Sequence, residues 1–100
     1  MNKQLPPVHP GEILREEFLI PNALTAGKLA KALGLPRTRI ERVVDEATGI
    51  TADTALRLGK FFGTTPDFWL NLQSHYELLR TQKAIGKQVA KIEPFKSEAA

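Results

Sequence analysis

Apolar residues recur every three or four positions along most of this chain, and no segment of any length alternates strictly between apolar and polar residues. The first pattern is typical of helices with one buried face, whereas the second is typical of strands. The apolar positions of five predicted helices are Ile13, Leu14 and Phe18; Leu29, Ala30 and Leu33; Ile40, Val43 and Val44; Ala52, Ala55, Leu56, Gly59 and Phe62; and Trp69, Leu72, Tyr76 and Leu79. We therefore expect an all-α fold.

Residues that favour helix ends lie at the limits of these segments. Thr25, Thr51 and Thr65 each precede a predicted helix, and a threonine hydroxyl there can accept a hydrogen bond from a free backbone N–H. Gly34 and Gly63 each follow a predicted helix and can adopt the positive φ that ends it sharply. The first helix is expected to open at His9 and Pro10 and to stop before Pro21, and the third is expected to begin at Pro36.

The second and third predicted helices have the spacing of a helix-turn-helix. Ala30 lies four residues before Gly34, and Ile40 follows six residues after it. A small side chain lets two helices cross closely, a glycine permits the sharp turn, and an apolar residue anchors the second helix to the core. Between Lys28 and Asp45 the basic residues outnumber the acidic ones, with Lys28, Lys31, Arg37, Arg39 and Arg42 against Glu41 and Asp45.

Length and composition fit a small binding domain. The 100 residues carry a formal net charge of +3, which suits an anionic partner. One domain of this length leaves little room for a deep enzyme cleft. The chain contains no cysteine, which excludes disulfides and thiolate metal sites and fits a reducing compartment. No apolar run approaches the roughly 20 residues of a membrane span, and residues 1–7 are too short and proline-rich for a signal peptide. We expect a cytoplasmic protein with no membrane association.

The residues that catalysis or metal binding requires do not occur in suitable pairs. His9 and His75 are the only histidines and lie on different predicted helices, without an acidic or thiol partner at ligand spacing. Ser74 is next to His75, but neighbouring residues on a helix point about 100° apart, so the two cannot act as a nucleophile and its base. We therefore expect no enzymatic activity, no metal and no cofactor.

Three sequence runs resemble those of a known family. They are residues 9–14 (HPGEIL), residues 49–58 (GITADTALRL) and residues 66–73 (PDFWLNLQ). In these runs the chain, from about Val8 to Leu79, is similar to the HigA-type antitoxins of the lambda-repressor-like (XRE) helix-turn-helix class. The resemblance implies a compact five-helix domain and a homodimeric repressor that binds an inverted-repeat operator in double-stranded DNA. It also implies a cognate HigB-type toxin, a RelE-like enzyme that cleaves mRNA.

The outward side of the third helix supplies the candidate DNA contacts. If Ile40 faces the core, Thr38 and Arg42 lie nearly opposite, and Arg39 and Glu41 flank them. Arginine can donate to guanine O6 and N7, threonine can contact a thymine methyl, and glutamate can accept a hydrogen bond from cytosine N4. The N-termini of helices bind phosphate. The full candidate set is Thr25, Lys28, Arg37, Thr38, Arg39, Glu41, Arg42 and Thr51. The arginines could instead form an ordinary solvated face, but the helix-turn-helix spacing favours DNA contact.

The loop after the third helix departs from the family pattern. Residues 45–48 are Asp-Glu-Ala-Thr, whereas the family usually has Gly, Lys and Arg there, so two carboxylates are expected beside the DNA backbone. Two alternatives to the antitoxin interpretation stay open. One is a free-standing XRE-type regulator without a toxin partner, which the same residues would serve equally well. The other is a protein-interaction module with vestigial DNA binding, which only Glu41, Asp45 and Glu46 favour.

The fifth helix carries more apolar surface than one side of a small bundle needs. Phe68 and Leu72 are assigned to the core. Trp69, Tyr76 and Leu79 are candidates either for the core or for a two-fold dimer interface, where aromatic residues are favoured. The predicted organisation is a flexible arm over residues 1–7, the helix-turn-helix domain with its long last helix over residues 8–86, and a flexible basic tail over residues 87–100.

Overall fold

The computed structural model describes residues 6–96, which contain five helices joined by turns and no strand. Helix α1 begins as an α-helical turn, Pro10–Ile13, and continues as a π-helical segment, Leu14–Leu19. The other helices are α2 (Ala26–Leu33), α3 (Arg37–Val44), α4 (Ala52–Phe62) and α5 (Pro66–Ala90). The all-α prediction is confirmed. Residues 1–5 of the predicted arm and residues 97–100 of the predicted tail lie outside the described residues.

The starts of α2, α4 and α5 and the ends of α2 and α4 lie where the sequence signals placed them. Thr25, Thr51 and Thr65 each accept a hydrogen bond on the side-chain oxygen from the backbone N–H three residues later, at 3.1, 3.3 and 3.1 Å. Gly34 and Gly63 have φ values of +71° and +75° and end α2 and α4. These signals act within a few residues of the helix end, which is why the sequence alone predicts them.

A histidine caps α1, which the sequence analysis did not anticipate. The Nδ1 atom of His9 accepts a hydrogen bond from the Gly11 backbone N–H at 2.8 Å, and the ring lies edge-on to Tyr76 of α5 with 4.8 Å between ring centroids. Since His9 is only 4% exposed, burial lowers the pKa of its imidazole below the ordinary value. The neutral ring is also the form that can accept at Nδ1.

Helix α1 packs against α3 through Gly11. A Cβ atom at this position would lie 1.8 Å from the carbonyl oxygen of Val43, which is far inside van der Waals contact. The two backbones can therefore approach this closely only because residue 11 has no side chain.

The buried core draws residues from every helix and is centred on aromatic and aliphatic side chains. Its fully or nearly fully buried apolar members are Leu14, Leu19, Leu29, Ala30, Leu33, Ile40, Val43, Ile50, Ala55, Leu58 and Trp69. The Trp69 ring is 0% exposed, and its Nε1 donates a hydrogen bond to Thr64 Oγ1 at 2.8 Å. Its ring centroid lies 4.9 Å from that of Phe18. Trp69 therefore joins α1 to α5 within one chain.

Three assignments from the sequence are wrong in detail. Phe68, expected in the core, is 38% exposed, because Trp69 beside it turns inward. Leu56, expected on the buried face of α4, is 61% exposed, and Leu58 is buried instead. Helix α5 does not stop near Gly86 but continues to Ala90. A glycine in a solvated helix costs only about 1 kcal/mol relative to alanine, which its helix-forming neighbours offset.

Candidate nucleic-acid interface

Helices α2 and α3 form a helix-turn-helix with the three roles expected from the spacing. Ala30 is 1% exposed on α2, which packs against α3, and Ile40 is 0% exposed on α3. The turn between them starts at Gly34, and the Leu35 backbone N–H donates to the Ala30 carbonyl oxygen at 2.9 Å. Ile40 therefore anchors α3 to the core and leaves the opposite side of the helix in solvent.

The outward side of α3 presents Thr38 and Arg42, both exposed. Within residues 6–96, no side-chain hydrogen bond or ion pair engages Arg42, so its guanidinium is available to a ligand. Arg37 is exposed at the start of the helix and forms an ion pair with Glu41 at 3.1 Å. Gly27 of α2 makes room for Arg37, because a Cβ at residue 27 would lie 3.0 Å from the Arg37 Cδ.

Arg39 does not belong to this outward face, although the sequence analysis gave it a base contact. Its Nη2 atom donates to Thr54 Oγ1 at 2.9 Å, to Asp53 Oδ1 at 3.2 Å and to Thr51 Oγ1 at 3.4 Å. All three acceptors lie at the start of α4. The structure therefore directs the Arg39 guanidinium toward α4 and not outward beside Arg42.

Asp53 and Arg57 extend this polar contact to α2, and the sequence analysis named neither residue. Arg57 Nε donates to Asp53 Oδ1 at 2.7 Å, and Arg57 Nη1 donates to the Leu33 carbonyl oxygen at 2.7 Å. The hydrogen bond from Arg57 and the nearby charge of Arg39 lower the pKa of Asp53 below its usual value. The four-residue separation of Asp53 and Arg57 on one helix was the available sequence signal.

The N-termini of α2 and α4 flank α3 along the chain and are capped by exposed threonines. Thr25 precedes α2 and Thr51 precedes α4, and both are exposed. Lys28 is exposed in the first turn of α2. Backbone N–H groups and the positive end of the helix dipole favour an anion at such ends.

The acidic loop after α3 is tied to α1 by an arginine that the sequence analysis did not consider. Arg15 Nη2 lies 3.3 Å from Glu46 Oε2, and Arg15 Nη1 donates to the Val44 carbonyl oxygen at 2.7 Å. Glu46 adopts φ +62°, a conformation that glycine adopts more readily. Asp45 is exposed and has no ion pair within the described part of the chain. Arg15 therefore pairs with one of the two loop carboxylates, while its Nε donates to Glu16 of α1 at 3.0 Å.

The three candidates for a dimer interface have different environments. Trp69 is completely buried, so the structure removes it from any surface that a second copy can reach. Tyr76 and Leu79 are half-buried, and Tyr76 packs against His9. The prediction is thus wrong for Trp69 and stays a prediction for the other two.

A row of exposed apolar side chains lies farther along α5 and was missed because the apolar pattern of this helix was followed only along Trp69, Leu72, Tyr76 and Leu79. We call it the α5 stripe; its members are Leu78 (56% exposed), Ile85 (40%) and Val89 (51%). Residues seven and four apart lie on one side of a helix. Exposed apolar residues grouped in this way are typical of an interaction surface.

In the described residues, 6–96, no helix is long and apolar enough to cross a membrane. The same residues contain no group of three or more His, Asp or Glu side chains that could hold a metal ion.

Curated proteins similar to this chain include virulence-associated proteins, HTH-type transcriptional regulators and an antitoxin. The chain is 55% identical over 75 residues to virulence-associated protein I of Dichelobacter nodosus, covering 75% of this chain and 69% of the relative. It is 40% identical to an uncharacterized HTH-type transcriptional regulator of Haemophilus influenzae, covering 88% and 84%. It is 34% identical to antitoxin HigA-1 of Vibrio cholerae, covering 89% and 84%. No protein-family model matches the chain.

Solved structures with the same fold include two that contain DNA. Pseudomonas aeruginosa antitoxin HigA, solved with the higBA promoter, superposes with a TM-score of 0.86 at 46% identity, covering 90% of this chain and 99% of that one. Antitoxin GraA, solved in complex with its operator, superposes with a TM-score of 0.87 at 37% identity, covering 97% and 99%. None of these five proteins is named as an enzyme, in agreement with the non-enzyme prediction.

Proposed function

The chain belongs to the HigA-type family of helix-turn-helix regulators, and from that premise we propose that it is the DNA-binding antitoxin of a type II toxin–antitoxin pair. In this function it binds an inverted-repeat operator as a homodimer and represses its own operon. It also neutralises a HigB-type toxin, a RelE-like enzyme that cleaves mRNA.

The observation that carries operator binding is the outward side of α3. Arg42 is exposed opposite the buried Ile40 and has no side-chain partner among residues 6–96, and Thr38 is exposed near it. Arg42 suits a bidentate contact with guanine O6 and N7, and Thr38 suits contact with a thymine methyl. Thr25 and Thr51 cap the helix N-termini that would receive phosphates on either side. HigA and GraA, which share this fold, were solved with promoter and operator DNA.

Footprinting on the DNA upstream of the chain's own reading frame tests operator binding. We expect protection of an inverted repeat whose half-site centres lie about one helical turn, roughly 34 Å, apart. A duplex of the same length with a scrambled repeat should bind far more weakly. Equal binding to both duplexes would contradict specific operator recognition.

The α5 stripe supports the homodimer in this proposal. Leu78, Ile85 and Val89 are exposed on one side of a helix that extends well beyond the core. Covering them with the same surface of a second copy would give a two-fold interface, the commonest kind in soluble homo-oligomers. It would also join two copies of α3 for the two half-sites of an operator.

The outer surface of α1 supports the toxin contact. Glu12, Glu16 and Glu17 are all exposed there, and acidic side chains are unsuited to DNA but complementary to a basic ribonuclease. Co-expression with the neighbouring reading frame, followed by co-purification and a growth assay, tests this contact. We expect the neighbour to stop growth alone and to be bound and relieved by this chain. Relief should weaken when Glu12 and Glu16 are replaced by lysine.

A free-standing regulator is the second candidate function. The relative in H. influenzae, 40% identical over most of both chains, is named as a transcriptional regulator and not as an antitoxin. The two functions share operator binding and differ only in the toxin. A neighbouring frame that is harmless alone, or toxic but neither bound nor relieved by this chain, would favour the free-standing regulator.

A further inference from the structure

One carboxylate oxygen connects the three helices of the candidate interface. Oδ1 of Asp53, in the first turn of α4, accepts from Arg39 Nη2 of α3 at 3.2 Å and from Arg57 Nε at 2.7 Å. Arg57 also donates to the Leu33 carbonyl oxygen at the C-terminal end of α2, at 2.7 Å. The side chains around Asp53 thus connect α3 to α4 and α4 to α2.

This connection supplies the side-chain hydrogen bonds between α3 and α4. Helix α3 packs chiefly against α2 and α1, and in residues 6–96 its side-chain hydrogen bonds to the start of α4 all come from Arg39. Arg39 also donates to Thr54 Oγ1, and Thr54 is only 2% exposed, so the guanidinium is attached to a residue of the core. A base contact requires the side chain to be placed to within about 0.5 Å. The orientation of a short helix such as α3 therefore decides whether its side chains can make that contact.

We propose that Asp53 is a positioning residue for operator recognition. Through Arg39 it holds α3 in the orientation that directs Arg42 at the bases, although its own negative charge repels the DNA backbone. The proposal rests on the proposed operator binding and adds to it a residue that sets specificity without touching a base.

The substitution Asp53→Asn separates positioning from charge, because the two effects predict opposite results. Charge alone predicts tighter binding to every duplex once a carboxylate near phosphate is removed. Positioning predicts that affinity for the chain's upstream DNA falls by about three- to tenfold relative to a scrambled duplex, as expected for residues in one ion-pair network. Equal tightening on both duplexes would overturn the proposal.

Asp67→Asn is the matched control. Asp67 occupies the first turn of α5, as Asp53 occupies the first turn of α4, and the substitution removes the same charge. We expect it to leave the ratio of the two affinities unchanged. A fall in this ratio as large as that of Asp53→Asn would show a general charge effect and would also overturn the proposal.

Arg39→Gln tests the other end of the connection. It should lower the ratio of upstream-duplex to scrambled-duplex affinity as Asp53→Asn does, and it should leave the salt dependence of binding unchanged. Combining Arg39→Gln with Asp53→Asn in one chain should cause no further loss. If the slope of log affinity against log salt fell by about one, Arg39 would be contacting a phosphate directly. Either that result or additive losses in the double variant would contradict positioning through Asp53.

Failure of operator binding itself gives a different result. If the unsubstituted chain bound both duplexes alike, the proposed function would fail at that step. The orientation of α3 is still measured in the DNA-free chain by its amide NMR signals. We expect shifts along α3 in Asp53→Asn and none in Asp67→Asn, and unshifted α3 signals in Asp53→Asn would overturn the proposal.

Discussion

The outward side of α3 and the α5 stripe are both exposed, but their chemistry is opposite. On α3, the exposed side chains are polar, and Arg42 is exposed with no side-chain partner in the described part of the chain. On α5, Leu78, Ile85 and Val89 expose apolar surface whose burial is favourable. Water can hydrate the polar side chains of the first surface, whereas the apolar side chains of the second would be stabilised by contact with a protein partner. Under the proposed function the two surfaces work together, since the stripe pairs the two copies of α3.

The largest expected effect comes from placing a charge in the α5 stripe. Ile85→Glu should separate the dimer, because a buried carboxylate without a partner is strongly unfavourable at an interface. Operator affinity should then fall by about 100-fold or more, since two linked binding events become separate ones. Sedimentation and gel shift measure the two effects. Ile20→Glu is the control, because Ile20 is 62% exposed on a different element. A dimeric Ile85→Glu variant would contradict this role of the stripe.

The next largest effect on operator binding is expected from substitutions on the outward side of α3. Arg42→Ala should cost about 1–3 kcal/mol of operator binding and relax the preference at one base pair in each half-site. Lys28→Ala, by contrast, should weaken binding to all sequences evenly and reduce the salt dependence. Gel shifts on a panel of single-base operator variants distinguish the two patterns. An unchanged footprint and affinity in Arg42→Ala would mean that a different side of α3 faces the DNA.

A smaller effect is expected at the acidic loop. Replacing Asp45 and Glu46 with lysine should tighten binding to any DNA, most clearly at low salt, where charges are least screened. Because Glu46 pairs with Arg15, the single substitution Asp45→Lys changes the charge without losing that pair. Fluorescence anisotropy at several salt concentrations measures the gain. If affinity does not rise at low salt, the loop points away from the phosphates.

The smallest effect is expected at His9, which is buried at the start of α1 and packs against Tyr76 of α5. Its pKa is lowered in the folded chain, so the unfolded chain binds the proton first as pH falls. The free energy of unfolding should therefore be constant well above pH 6.5 and decline as the pH falls below that value. His9→Asn keeps a capping acceptor but does not titrate there. Urea unfolding between pH 8 and pH 5 should show a weaker decline for this variant, and an equal decline would assign the effect to other groups.

The sequence predicted what depends on neighbouring residues. Helix ends at Thr25, Thr51 and Gly34, and the inward position of Ile40, follow from signals within one or two turns. These features define the helix-turn-helix and the side of α3 that faces outward. The resemblance of three short runs to one family also indicated the fold, and the comparisons bear it out.

The sequence did not predict what depends on residues far apart. Arg39 and Asp53 are 14 positions apart, and Arg15 and Glu46 are 31 apart, so only the packed structure brings their charges together. Trp69 and Phe68 are both large and apolar, and which of them turns inward depends on the space left by Phe18 and its neighbours. The α5 stripe was missed for a related reason, because whether Leu78 and Ile85 are buried or exposed depends on where the core ends beneath α5.

Amide NMR spectra of the full chain, recorded while its upstream duplex is added, test the division between the two surfaces most directly. The account predicts that signals of α3, with Thr38 and Arg42 at the centre, and of the first turns of α2 and α4 shift on binding. Signals of Leu78, Ile85 and Val89 should stay unchanged, because in the proposed homodimer a second copy of the chain already covers them. Shifts concentrated on the α5 stripe, with α3 unaffected, would contradict the account.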